Sequence, residues 1–141
     1  MRLELTRRTD YAIRALLALA REDGRQSTPV IAAAMNIPIR FLPQVMGDLT
    51  RAGLVRSTGG RKGGYELVPP PASINLLLIV EAVEGDTRRR TCILRGGPCQ
   101  RDGVCDAHEP FAAAQDAFRA TLAAASLASL VGASQDIDPG S

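Results

Sequence analysis

Over residues 9–21, apolar side chains stand at Ile13, Leu16, Leu17 and Ala20, with Arg14 and Arg21 between and beyond them. That spacing predicts an amphipathic helix whose basic side, joined by Arg7 and Arg8, meets water or phosphate. Ser27-Thr28-Pro29 predicts the start of a second helix, with a capping hydroxyl and a proline where no N–H is needed. This helix covers residues 29–35 and stops at Asn36. Pro38 opens a third, which runs through Leu42, Val45, Met46 and Leu49 to a stop at Gly53. Pro43 inside it removes one helical hydrogen bond and predicts a kink or a delayed start. Residues 54–57 and 65–68 predict two short strands. Between them, Thr58-Gly59-Gly60-Arg61-Lys62-Gly63-Gly64 combines backbone freedom with cations at the tip.

The second half changes character. Pro69-Pro70-Pro71 is a stiff spacer. Ser73 is placed to cap a fourth helix over residues 74–83, apolar enough to be buried on most sides. A polar connection, residues 84–90, leads to a loop over residues 91–106. A long helix over residues 107–125 follows, with Phe111, Ala114, Phe118, Leu122 and Ala125 on one stripe. Ser126 caps a closing turn through Leu127, Leu130 and Val131, and residues 132–141 read as a flexible tail. The expected fold is mostly α with a small β-hairpin wing: a winged helix-turn-helix over residues 1–71, then a loop and long C-terminal helix over residues 72–131.

Charge sharpens this reading. Residues 1–65 carry eleven Lys and Arg against five Asp and Glu, whereas residues 66–141 carry six against ten. A solvated basic face would show the same excess. Three helices followed by a glycine-rich basic hairpin, however, are the parts of a double-stranded DNA reader. Base edges are read by hydrogen bonds, and the start of the third helix offers Arg40 for guanine and Gln44 for adenine. At the wing tip, Arg61 and Lys62 suit phosphates or the minor groove. Arg56 on the first strand and Gly63 in the wing complete the candidate DNA contacts.

All three cysteines, Cys92, Cys99 and Cys105, fall in one fourteen-residue window, and the sole histidine, His108, follows three residues later. Three cysteines cannot all pair within one chain, and a reducing cytosol disfavours disulfides. Gly96-Gly97-Pro98 and Gly103 make the stretch unlike a packed core, which points to metal ligation. Thiolates are the usual ligands of iron–sulfur clusters. Three Cys and one His are also a permissible zinc set, although these intervals are longer than usual, and a thiol switch without metal is a third reading. One histidine, no Ser-His-Asp set and no phosphate loop opening a helix argue against an enzyme. There is no apolar run of membrane-spanning length and no secretory leader, so a cytoplasmic protein is expected.

Met1-Arg2-Leu3, Thr9-Asp10-Tyr11-Ala12, Arg51-Ala52-Gly53-Leu54-Val55, the wing from Gly59 to Tyr65, the cysteine window and Leu127-Ala128-Ser129-Leu130-Val131 together carry a resemblance. Over residues 1–131 the chain resembles the Rrf2 family of winged-helix transcriptional regulators, of the IscR and NsrR type. The resemblance implies a homodimer joined by its long C-terminal helices and bound to a palindromic operator. It also implies an iron–sulfur cluster on Cys92, Cys99 and Cys105 that sets DNA affinity. Two residues compete for the fourth ligand. His108 matches an IscR-like 2Fe–2S arrangement, and Asp10 an NsrR-like 4Fe–4S arrangement in which the aspartate comes from the partner subunit. The N-terminal motif stands nearer the NsrR side, so 4Fe–4S with Asp10 is preferred.

The expected function is a repressor sensing nitric oxide, redox or iron–sulfur status. The alternative is a zinc-stabilised or thiol-switch regulator, or a protein-binding adaptor, without a cluster. Three features depart from the family pattern: the six-residue first cysteine interval, Glu4-Leu5 before the first helix, and Pro43.

Overall fold

Helix α1 spans Arg7–Arg21, two residues earlier than its apolar spacing predicts. Thr6 is the cause: its Oγ1 accepts a hydrogen bond from the Thr9 amide at 3.2 Å, satisfying a donor that the first turn leaves open. The computed structural model describes residues 4–60, 63–87 and 108–135. Within them α1 is the central strut, burying Tyr11, Ala12, Ala15, Leu16, Ala18 and Leu19 against the helices around it.

Helix α2, Thr28–Met35, has Pro29 in its first turn as expected, but the Ser27 side chain makes no capping bond. Its end is as read: Asn36 takes the left-handed conformation, φ 53°, which asparagine tolerates. Pro43 delays the third helix rather than kinking it. A 3₁₀ turn, Ile39–Phe41, comes first, and α3, Leu42–Arg51, then places Pro43 in its first turn. There the missing N–H costs nothing.

At the other end, Gly53 has φ +77° and donates to Thr50 O, while Leu54 donates to Leu49 O, both at 3.0 Å. This is a Schellman closure, and it ties Leu54 to the helix end. Strand β1 therefore begins one residue later than predicted, at Val55–Thr58. It pairs antiparallel with β2, Gly64–Leu67, with Val55 opposite Leu67 and Thr58 opposite Gly64.

Helix α4 spans Leu76–Glu84 and is capped by Asn75, whose Oδ1 accepts from Leu78 N at 2.9 Å. Ser73, the expected cap, lies instead in a 3₁₀ turn, Pro71–Ser73. The reason is tertiary. Ile74 is fully buried and extended, its carbonyl accepting from Leu127 N at 2.7 Å, so the helix cannot start until it has passed. Helix α5 spans His108–Ala124, and α6 spans Leu127–Gln135, reaching beyond Val131. Ser126 caps α6 as read, accepting from Ser129 N at 3.1 Å.

The core crosses the expected boundary near residue 71. Leu16, Ile31, Leu42, Met46 and Leu49 from the first half join Ile74, Ile79 and Leu127 from the second in one apolar cluster. Helix α6 returns to pack on α1, whereas α5 rests on α4 and buries no residue fully.

Candidate nucleic-acid interface

Helix α3 turns Leu42, Val45, Met46, Asp48 and Leu49 inward, leaving Pro43, Gln44, Thr50 and Arg51 exposed. Ile39 and Arg40, on the turn before it, are also exposed, so Arg40 and Gln44, the candidate base readers, both stand on the outer side. Arg40 has a fixed base: its guanidinium lies 5.0 Å from the centroid of the Phe41 ring, a cation–π distance. The Phe41 ring in turn sits 5.2 Å from that of Tyr11 on α1. The start of α3 thus packs against the first helix through two tilted rings.

Asp48 is an acid within the apolar stripe of α3. Its two oxygens accept one from Arg8 on α1 and one from Arg51, and its side chain is only 7% exposed. Burial removes most of the carboxylate's hydration, and two guanidinium groups replace it. The two arginines, one on α1 and one at the end of α3, stay 40% and 73% exposed. Sequence reading missed this group. The available signal was an ionisable residue interrupting Val45, Met46 and Leu49.

Gln26 was also missed. Its amide donates to Tyr65 O at 3.0 Å and its carbonyl accepts from Tyr65 N at 2.8 Å, adding a third short segment to the hairpin. Its side-chain Nε2 donates to Ala18 O at 2.8 Å, anchoring the wing to α1. Beside that bridge, Gly64 has no space for a side chain: a Cβ there would lie 2.5 Å from Gln26 O. Gly63, proposed as a DNA contact, is held by the turn itself. Its N–H donates to Gly60 O at 3.0 Å, and a Cβ would meet Thr58 O at 2.3 Å. Arg56, another proposed contact, is paired across the hairpin with Glu66, Nε to Oε1 at 2.6 Å, so its charge is balanced there. The wing-tip cations Arg61 and Lys62 lie outside the described residues.

Of the candidate cluster ligands, Cys92, Cys99 and Cys105 also lie outside the described residues. Asp10 sits in the first turn of α1, where Arg14 Nε donates to its Oδ1 at 3.1 Å and Arg14 Nη2 to its Oδ2. Its side chain is nevertheless 41% exposed. Arg14 also reaches Met35 O at 3.4 Å and lies 5.6 Å from the Tyr11 ring centroid. His108 is the exposed first residue of α5. The two candidates for the fourth ligand therefore stand on different elements. No group of three or more His, Cys, Asp or Glu capable of holding a metal occurs among the described residues.

Three packed helices, an anchored antiparallel wing and an exposed third helix are a winged helix-turn-helix, the architecture of DNA-reading regulators. Residues 5–133 match the model of the Rrf2 family, described as iron-dependent transcriptional regulators, and the chain belongs to that family. It is 32% identical over 132 residues to the HTH-type transcriptional regulator NsrR of Geobacillus kaustophilus, a match covering 92% of this chain and 90% of the relative. Among solved structures, it is similar to CymR, the global cysteine regulator of B. subtilis: TM-score 0.77, 26% identity, 93% of this chain and 98% of the other. IscR of T. potens shares the fold, with TM-score 0.78 at 22% identity over 98% of this chain and 94% of the other. The family consists of transcriptional regulators, not enzymes. Among the described residues, no helix is long and apolar enough to cross a membrane.

Proposed function

We propose that this chain is a homodimeric repressor whose grip on a palindromic operator is set by an iron–sulfur cluster held on Cys92, Cys99 and Cys105. The observation that carries this is the match of residues 5–133 to a family described as iron-dependent, in a chain that concentrates every cysteine in one window. Three thiolates with one carboxylate or imidazole form a chemically suitable donor set, and a non-thiolate ligand shifts potential and lability, as a sensor requires.

Asp10 suits the fourth position because its carboxylate is part-exposed and held in one orientation by Arg14. Its place also supplies a route to DNA. The next residue, Tyr11, packs its tilted ring against Phe41 at the start of α3, so a pull on Asp10 would be felt where that helix begins. His108, exposed at the head of α5 and closest in sequence to Cys105, is the competing ligand. Helix α5 suits the dimer interface. It buries no residue fully in the single chain and leaves Phe118 43% exposed.

A second reading follows from the likeness to CymR, named a global cysteine regulator: the same three thiols acting as a redox switch without a cluster. Anaerobic purification with iron, sulfide and zinc analysis separates the two. The cluster reading predicts visible absorption, iron and acid-labile sulfide, all lost in Cys92→Ala, Cys99→Ala and Cys105→Ala. Loss in either Asp10→Ala or His108→Ala names the fourth ligand. A colourless, metal-free protein that releases DNA on thiol oxidation would favour the switch; zinc without sulfide would reject both.

A further inference from the structure

Gly47 stands in the middle of α3 with ordinary helical backbone and is not among the glycines of positive φ. Packing does not demand it either. A Cβ built there meets only the flexible end of Arg51, with Nη1 at 3.6 Å, an ordinary contact. Glycine inside a helix weakens it relative to alanine. Neither the backbone nor the interior of this protein explains the missing side chain.

Its location does. Pro43, Gly47 and Arg51 are spaced four residues apart and so form one row along the helix. That row faces away from the side that buries Leu42, Val45, Met46 and Leu49. Gly47 therefore makes a notch at the centre of the outer face, between an exposed proline and an arginine whose side chain is 73% exposed. Gln44 and Arg40 stand beside it. B-DNA's major groove is about 12 Å wide, and a helix with its side chains is about 10–12 Å across, so clearance is small. Bulk on the midline of the inserted face lifts the whole helix away from the base edges.

We propose that Gly47 is a specificity-determining residue, whose missing side chain lets α3 seat deeply enough for Gln44 and Arg40 to reach base edges. The inference rests on α3 being the helix that enters the groove. The probe is a duplex that the full-length protein selects from a random-sequence pool, compared with an unselected duplex of equal length. Gly47→Ala is expected to melt above the parent, because alanine favours helix, yet to bind the selected duplex roughly tenfold more weakly or worse. Its salt-sensitive binding to unselected DNA should stay at the parent's level.

Parent-like affinity in Gly47→Ala, with weakened binding in Gln44→Ala, would overturn the inference and leave α3 as the reading helix. No effect from either substitution would overturn both. A Gly47→Ala protein that melts below the parent would assign the glycine to packing and also reject the inference.

Discussion

Asp48 interrupts the apolar stripe of α3, and its carboxylate joins Arg8 of α1 to Arg51 of its own helix. The gain comes from keeping a nearly dehydrated charge hydrogen-bonded, not from simple attraction between surface ions. Asp48→Ala removes both bonds and the tie between α1 and α3. We expect it to cost roughly 1–3 kcal/mol, seen as a lower urea midpoint with an unchanged slope. An unmoved midpoint would show that the two arginines are indifferent to it. Residue-level reading of the sequence worked where causes are local. Pro43's delay of α3 and Asn36's closure of α2 follow from their own φ preferences. It failed at Ser73, because the choice of Asn75 as cap depends on Ile74 being pinned by Leu127, more than fifty residues away.

Among the elements, the wing depends most on glycine. Gly64 passes so close to Gln26 that a methyl group would strike a backbone carbonyl rather than a movable side chain. Gly64→Ala should therefore break the bridge from the hairpin to the α1–α2 connection, costing on the order of 1–3 kcal/mol. Amide exchange at Tyr65 should speed up more than exchange within α3. Equal protection in both forms would mean that the wing holds without Gln26. The bounds of α1, α2, α4 and α5 were legible to within about two residues because apolar periodicity and caps are local signals, whereas α3 begins later than Pro38 and α6 runs past Val131. Strand β1 was misplaced by one residue because Leu54, apolar and β-competent, is held by the Schellman closure of α3. Nothing in the strand pattern signalled Gln26, a polar residue that joins the hairpin only through the tertiary fold.

Across the whole molecule, one core links the DNA-reading half to the segment that follows the cysteine window. Leu127 is fully buried among residues of both halves. Leu127→Ala should cost about 2–5 kcal/mol and lower a single cooperative unfolding transition. Two separated transitions would show that the halves fold independently. Helix α5 carries its aromatic Phe118 outward. If that face meets a second copy, Phe118→Ala should weaken the dimer by on the order of 3 kcal/mol, read from a concentration series by sedimentation. An unchanged dissociation constant would place the interface elsewhere. The basic first half and the cysteine window were plain in the sequence, as charge and spacing are. The contact of the Tyr11 ring with Phe41 was not, because it depends on how α1 packs against the start of α3.

In the proposed function, cluster state governs DNA affinity. The measurement to make is the affinity of the anaerobically purified protein for its selected duplex, before and after nitric oxide, beside Cys105→Ala. Affinity should fall by about fivefold to 150-fold on cluster damage, with no response in the variant. Equal affinity in the loaded, nitrosylated and cluster-free states would contradict it.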